Sequence, residues 1–336
     1  MTPRPSHSQL DEDDVRVRAG RGSRPRTRRR PAHAEAIDAF VTAVDRGRYR
    51  CVVGDLAVTA MKARELGRGN IVVGDIVSLA GDASGEPGSL ARVVRIAQRR
   101  SVLRRSADDT DPVERVIVAN ADQLVIVCAL ADPPPRTRLI DRFLVAAYDA
   151  GLEPVLFLTK ADLAGPEEIL PVYEPLGLRT IVLGRPLTEH KLSELRDALA
   201  EQVSVLVGHS GVGKSTLVNA LIPAADRAVG EVSPVTGRGR HTSSSAVALA
   251  LPGGGWLIDT PGLRSFGLGH MSAERVVQAF PDLADGAEEC PRGCDHLGPE
   301  CALDSWVFAS DGGAALAARL DSLRRLLRSR EGADAD

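Results

Sequence analysis

The chain has 336 residues, 43% of them hydrophobic and 3% aromatic, and a formal net charge of −3. This length predicts two or three domains with a sizeable core, and a charge so close to neutral identifies no partner until it is divided by region. No run approaches the roughly 18 apolar residues of a membrane span, so we expect a cytoplasmic protein with no membrane partner.

Residues 1–35 are predicted to form a disordered, Arg-rich arm. Eight arginines fall between Arg16 and Arg30 with no acid among them, after a short acidic run at 11–14. Such a segment cannot form a core. Two interpretations remain open: an arm that neutralises nucleic-acid phosphates, or a passive charged leader.

Residues 36–110 are predicted to form a small β-barrel such as an OB-fold. Runs rich in Val and Ile, separated by Gly and Asp turns, lie at 49–56, 70–79 and 90–96, which is typical of a barrel of short strands. Between residues 36 and 106, Lys and Arg outnumber Asp and Glu by 12 to 7. Because Phe40 and Tyr49 are its few rings, the barrel is expected to contact the backbone of folded RNA rather than stack single bases. The alternative is a structural module with solvated charges.

Residues 111–271 alternate between strand and helix patterns. The strands are predicted at 124–130, 155–159, 181–183, 203–207 and 256–258, and the helices at 137–150, 192–201 and 214–221. This alternation predicts an α/β domain built on a parallel sheet, with functional loops at the carboxyl ends of the strands.

A complete phosphate-binding loop follows the strand at 203–207. Its glycines let backbone N–H groups face phosphates at the positive end of the next helix. Lys214 is expected to bridge the β- and γ-phosphates, which makes it a catalytic candidate, and Ser215 to ligate Mg²⁺. The predicted nucleotide ligands are Gly208, His209, Ser210, Gly211, Val212, Gly213, Lys214, Ser215 and Thr216.

A second phosphate motif, Asp259-Thr260-Pro261-Gly262, ends the strand at 256–258. Asp259 is expected to hold Mg²⁺ through a water, and the Gly262 N–H to contact the γ-phosphate. The same tetrapeptide is an ordinary turn elsewhere, but its place after a phosphate loop favours the nucleotide role. Leu263 stands where many GTPases have a glutamine that orients water, so intrinsic hydrolysis is expected to be slow unless another residue helps.

His241 is the candidate for that help, in a polar, Gly-rich stretch before the strand at 256–258. An imidazole there would orient the attacking water; the alternative is a solvent-facing loop histidine. Thr242 is the expected hydroxyl ligand of Mg²⁺ in the GTP-bound state, in preference to Thr236. Both His241 and Thr242 are therefore catalytic candidates.

The segment Thr159-Lys160-Ala161-Asp162 is the predicted guanine-binding motif. Asp162 would accept hydrogen bonds from guanine N1 and N2, which adenine cannot offer, and the Lys160 stem would lie along the base. Thr159 stands where the motif usually has Asn. The segment precedes the phosphate loop, whereas GTPases ordinarily have the reverse order, so we predict a circularly permuted GTPase domain.

Residues 272–336 are predicted to form a helical, metal-binding domain. Leucines at one helical spacing give an apolar stripe at Leu316, Leu320, Leu323 and Leu327. Three thiols and one imidazole within 12 residues form the predicted ligand set of a structural Zn²⁺, namely Cys290, Cys294, His296 and Cys301. A redox pair or unrelated thiols are the alternatives.

Together these motifs resemble the ribosome small-subunit-dependent GTPases, the RsgA or YjeQ family. The similarity covers about residues 40–310 and extends through the segments at 119–123, 140–144, 239–242 and 294–296. It implies a multidomain α/β chain with an OB-fold, a circularly permuted P-loop GTPase domain and a C-terminal zinc domain. The Ser-Ala loop that usually contacts the base in this family is not evident after Leu183.

The resemblance also implies a function. Members hydrolyse GTP to GDP and phosphate, act as late-stage maturation factors of the 30S subunit, contact 16S rRNA and are stimulated by the small subunit; we expect a monomer with Mg²⁺ and Zn²⁺. One alternative is an RNA-binding module that uses nucleotide only as a structural ligand. Another is an ATP-dependent P-loop enzyme, against which Asp162 argues.

Overall fold

The computed structural model describes residues 33–67, 70–106, 114–223, 246–260, 272–310 and 312–330. The predicted arm at 1–35 lies almost wholly outside these residues, and the compact unit discussed below is Glu35–Asp336. Among the described residues, no helix is both long and apolar enough to cross a membrane.

The first strands form a closed five-stranded barrel, as predicted. They are β1 (Ile37–Asp45), β2 (Arg48–Val53), β3 (Leu56–Lys62), β4 (Ile76–Gly81) and β5 (Ala91–Ile96). The order β1-β2-β3-β5-β4 closes through pairing of β4 with β1, and within the barrel only β3 and β5 are parallel. Alternate residues such as Val41, Cys51 and Val93 fill the interior, which is the period of two that a half-buried strand requires.

The predicted strand at 70–79 begins only at Ile76, because residues 70–75 form a loop organised by a buried carboxylate. Asp75 accepts a hydrogen bond from the Val72 N–H at 2.8 Å, and its two oxygens accept from Arg99 Nε and Nη2 at 2.7 and 2.8 Å. A fully buried carboxylate needs such donors. Neither predicted ring is open to a base, since Tyr49 is buried and Phe40 stacks on Trp256 with ring centroids 4.8 Å apart.

The second sheet is the parallel sheet that the sequence predicts, extended by one antiparallel strand. A two-stranded ribbon, β6 (Val102–Ser106) and β7 (Glu114–Ala119), connects it with the barrel. The sheet strands are β8 (Gln123–Ala129), β9 (Glu153–Thr159), β10 (Arg179–Val182), β11 (Val203–Val207), β12 (Val247–Ala250) and β13 (Trp256–Asp259). Their order is β10-β9-β8-β11-β13-β12. The antiparallel β12 also pairs with β1, at Ala43 and Val247, so the sheet and the barrel are continuous.

Helices cover both faces of this sheet. They are α1 (Thr137–Ala150), α2 (Leu170–Tyr173), α3 (Glu189–Leu199), α4 (Lys214–Leu221), α5 (Ala273–Gln278), α6 (Pro281–Ala287), α7 (Ala302–Ala309) and α8 (Gly313–Arg330), with 3₁₀ turns at Arg64–Leu66 and Glu174–Leu176. Helices α3 and α4 pack on one face, while α1 and the C-terminal helices share a core on the other. The carboxyl ends of the parallel strands therefore meet at one edge.

The predicted leucine stripe of α8 is buried against α1, and an ion pair crosses the same contact. Asp141 of α1 is 3% exposed and accepts from Arg325 Nε, which lies 3.2 and 3.1 Å from its two carboxylate oxygens. The Arg325 guanidinium also lies over the Tyr173 ring, 5.2 Å from its centroid. Burial raises the pKa of Asp141, and the charge of Arg325 opposes that shift. Asp141 thus joins α1, which packs on the parallel sheet, to the C-terminal helix α8.

Replacing Asp141 by alanine is expected to destabilise the fold by about 2–4 kcal/mol, because it leaves the partly buried Arg325 guanidinium without its carboxylate acceptor. The free energy of unfolding in urea measures this loss. Asp321→Ala is the matched control, since Asp321 is exposed on α8, the helix that carries Arg325, and its loss should change stability by less than about 0.5 kcal/mol. Equal effects of the two substitutions would contradict a structural role for the pair.

Candidate nucleotide site and metal centre

The phosphate loop lies between β11 and α4 and depends on glycine. Gly208 has φ +147°, and a Cβ there would lie 2.3 Å from the Val127 carbonyl oxygen of β8. Gly213, the residue before α4, has φ +99°. These backbone conformations are open to glycine and strained for other residues. The loop thus ends at a helix N-terminus, whose free N–H groups favour an anion.

Lys214 is positioned inside this loop. Its Nζ donates to the carbonyl oxygens of Gly208 and His209 at 2.6 and 2.9 Å. Burial lowers the pKa of Lys214, while the charge of Asp259 raises it. A polyanion bound in the loop would favour the charged ammonium further. Ser215 and Thr216 follow on the first turn of α4, where both are exposed.

The second phosphate motif begins at the end of β13, next to β11. Asp259 pairs in register with Leu206, and the Thr260 hydroxyl donates to the Leu206 carbonyl at 3.1 Å. This places Asp259 at the same sheet edge as the phosphate loop. Gly262, the γ-phosphate candidate, lies outside the described residues, and so do His241 and Thr242; their roles stay predictions.

The predicted guanine-binding segment, residues 159–162, is hydrogen-bonded directly to the phosphate loop. Thr159 is 5% exposed, and its hydroxyl donates to the Val212 carbonyl at 2.7 Å. Lys160 has φ +61° and donates through Nζ to the Asp132 carbonyl. The Ala161 N–H donates to the Leu183 carbonyl at 3.0 Å. The threonine that stands in place of the usual asparagine therefore joins two loops that lie 53 residues apart in the chain.

Asp162 contacts a residue that the sequence analysis did not identify. Its Oδ1 accepts from the backbone N–H of Arg185 at 2.9 Å, and the Arg185 guanidinium donates to the Thr216 hydroxyl at 3.3 Å. The sequence carries one signal of this contact. The expected Ser-Ala loop is not evident after Leu183, so another residue must occupy the position beside Asp162. No periodicity or spacing pointed to arginine there.

The four predicted metal ligands come together in the C-terminal region, where their donor atoms lie within 4.8 Å of one another. Cys290 Sγ lies 3.5 Å from His296 Nδ1 and 3.8 Å from Cys301 Sγ, and Cys301 Sγ lies 3.8 Å from His296 Nδ1. Tetrahedral zinc with bonds of about 2.3 Å to sulfur and about 2.05 Å to nitrogen has edges of about 3.8 Å between sulfurs and about 3.6 Å between sulfur and nitrogen. The donor set and its spacing therefore fit one tetrahedral metal ion such as Zn²⁺.

Arg324 of α8 supports this cluster. Its Nε donates to the His296 carbonyl at 3.1 Å, and its two terminal nitrogens donate to Asp304 at 2.8 and 2.7 Å. Burial lowers the pKa of His296, which keeps the imidazole neutral and able to ligate, and burial raises the pKa of the Cys301 thiol to about 11. A bound dication would favour the thiolate instead, so cation binding and thiol ionisation are coupled here.

Known proteins resemble this chain in sequence and in fold. A family model described as RsgA GTPase matches residues 96–269. A protein of Pseudomonas aeruginosa (strain LESB58) named small ribosomal subunit biogenesis GTPase RsgA is 43% identical over 245 residues, 70% of each chain. A protein of Chlorobaculum parvum with the same name is 34% identical over 310 residues, 88% of this chain and 98% of its relative.

Two solved structures share the fold. The crystal structure of YjeQ from Thermotoga maritima has a TM-score of 0.64 at 23% identity and covers 89% of this chain and 100% of that one. The structure of YloQ, described as a circularly permuted GTPase, has a TM-score of 0.64 at 22% identity and covers 92% of this chain and 99% of that one. The predicted fold class, with its permuted order of nucleotide motifs, is confirmed.

Proposed function

The chain belongs to the RsgA GTPase family, and we propose that it hydrolyses GTP to GDP and phosphate as a late maturation factor of the small ribosomal subunit. The observation that carries this proposal is the hydrogen bond from Thr159 to the Val212 carbonyl. It joins a guanine-reading motif to a phosphate loop in the permuted order. In an ATP-dependent enzyme the Asp162 carboxylate would find no partner on the base, because adenine lacks the N1 and N2 donors of guanine.

Within this proposal the phosphate end of the nucleotide lies in the loop at 208–213. Lys214 neutralises the β- and γ-phosphates, and its contacts with two loop carbonyls hold it ready to do so. Ser215, Thr242 and Asp259 are the residues that would hold Mg²⁺. The cation supplies charge neutralisation between the β- and γ-phosphates when it is bound.

The base end of the nucleotide lies at residues 159–162. Asp162 accepts from guanine N1 and N2, and Lys160 covers the base with its stem. His241 orients the attacking water and the Gly262 N–H contacts the γ-phosphate. Leu263 cannot orient water, so turnover without a partner is slow.

The remaining regions bind the partner in this proposal. The basic barrel at 36–110 contacts 16S rRNA through its backbone, and residues 272–336 form a zinc-stabilised helical domain next to the GTPase domain at 111–271. The Asp259 motif leads into α5, where the Ser272 N–H donates to Asp149 of α1 at 3.4 Å. Loss of the γ-phosphate at this motif would therefore change the position of the C-terminal helices. The affinity for the ribosomal subunit would then depend on whether GTP or GDP is bound. Such a factor acts in the cytoplasm as a monomer.

GTP turnover by the purified full chain, with and without small ribosomal subunits, tests the proposal. We expect slow turnover alone and an increase of at least about a hundredfold with 30S subunits, below the roughly 10³–10⁵-fold gain that an arginine finger gives to other GTPases. ATP is the substrate control, and 50S subunits are the partner control.

The outcomes separate the alternatives. Turnover that 30S subunits leave unchanged would contradict the ribosomal role while keeping the GTPase. Binding of guanine nucleotide without turnover under any condition would favour an RNA-binding module that uses nucleotide as a structural ligand.

A further inference from the structure

Arg185 joins the two ends of the candidate nucleotide site. Its backbone N–H donates to Asp162 Oδ1 at 2.9 Å, and its guanidinium donates to the Thr216 hydroxyl at 3.3 Å. The preceding Gly184 lies close to this contact, since a Cβ there would be 3.3 Å from the Asp162 nitrogen. The loop after β10 is thus packed against the guanine motif, and the Arg185 side chain reaches the phosphate loop.

The place of the guanidinium along the site follows from its neighbours. Lys214 marks the β- and γ-phosphate end and Asp162 marks the base end. Thr216 is the third residue of α4, in the turn whose free N–H groups receive an anion. A cation between Thr216 and Asp162 therefore lies beside the α-phosphate and the ribose.

The chemistry of arginine suits the anionic part of this segment. Its planar fork binds phosphate oxygens through two parallel hydrogen bonds and stays charged at every relevant pH. The Arg185 guanidinium is exposed, and among the described residues it is hydrogen-bonded to the Thr216 hydroxyl and to no carboxylate. It has donors left for a ligand.

We propose that Arg185 is a nucleotide-binding residue that contacts the α-phosphate, while its backbone N–H orients Asp162 for the base. This assignment rests on the proposed guanine-nucleotide function and adds a second cation to Lys214. It also explains how the site works without the Ser-Ala loop usual in the family: Arg185 holds the guanine-reading carboxylate from the same position in the chain.

Competition of GDP, GMP and guanosine against a fluorescent GDP tests the assignment, with wild type, Arg185→Ala and Arg185→Lys compared. Loss of a hydrogen bond to a charged group predicts that Arg185→Ala binds GDP and GMP about tenfold or more weakly. Guanosine has no phosphate, so its affinity should change by less than about twofold. Arg185→Lys keeps the charge without the fork and should lie between the two. Arg179→Ala is the matched control, an exposed arginine at the opposite end of β10.

Each outcome bears on one proposal. Wild-type protein that binds no guanine nucleotide would overturn the proposed function itself. Wild-type binding with Arg185→Ala equal to wild type for GDP would overturn only the assignment of Arg185. An equal loss of affinity for GDP, GMP and guanosine would also overturn the α-phosphate contact. It would show that Arg185 only holds the two loops together and does not contact a phosphate. Near-ultraviolet circular dichroism confirms that each variant is folded.

Discussion

A Cys301→Ser protein should no longer hold a stoichiometric metal ion, and its C-terminal helices should lose their fixed packing. Cys301 is 3% exposed, and its sulfur lies 3.8 Å from both Cys290 Sγ and His296 Nδ1. A serine hydroxyl is a poor ligand for Zn²⁺, and the apparent binding energy of a structural zinc site is about 10–16 kcal/mol. Loss of even part of this binding energy would exceed the free energy that holds the C-terminal helices in their packed arrangement.

The effect should reach the core because the cluster shares it. Cys301 packs in the same buried cluster as the leucines of α8 and the residues of α1, and Arg324 bonds α8 to the His296 carbonyl. We therefore expect the metal to hold α7 and α8 in place against the GTPase domain. Chelation of the wild-type protein should reproduce the effect of the substitution.

Metal content by mass spectrometry and tryptophan fluorescence measure these changes; of the two tryptophans, Trp256 lies in the parallel sheet and Trp306 in the C-terminal helices. Trp306 lies on α7, and its ring is in contact range of Gly286 on α6. Cys51→Ser is the matched control, since Cys51 is a buried cysteine of the barrel; as long as it folds, that variant should keep its metal. Full metal content in Cys301→Ser would contradict the proposed ligand set.

The features predicted best from the sequence are those whose signals lie within a short stretch of the chain. Helix α1 and the strand and helix on either side of the phosphate loop match their predicted limits, because apolar periodicity and glycine spacing are local signals. The four predicted metal ligands follow from their spacing in the sequence, and the structure brings them together into a cluster that could hold a metal ion. Local chemistry was enough for these features.

Contacts between distant segments could not be predicted in this way. The antiparallel β12 joins the sheet to the barrel through one pairing, of Ala43 with Val247, and no period in either segment reveals it. Asp141 stands in the sequence as one residue of a family motif, whereas its ion-pair partner Arg325 lies 184 residues further along. Arg185 likewise reaches Thr216 across 31 residues. Each pair becomes visible only when the fold places both members.

A Gly208→Ala protein should bind GDP at least about a hundredfold more weakly than wild type. The added Cβ would lie 2.3 Å from the Val127 carbonyl oxygen, and the backbone there has φ +147°. The close contact and the strained φ both involve backbone atoms, so no side-chain rotation relieves them. Together they cost about 2–4 kcal/mol. The loop must move away from β8, which takes its N–H groups and the Lys214 contacts out of register with the phosphates.

Gly253→Ala is the matched control for this prediction, since a Cβ at Gly253 meets nothing within 4 Å. Titration of fluorescent GDP gives the affinities, and thermal unfolding without nucleotide separates a displaced loop from a damaged core. We expect Gly253→Ala to match wild type in both measurements. If Gly208→Ala bound GDP as wild type does, phosphate binding would not depend on how closely this loop approaches β8, and Lys214 alone would have to account for it.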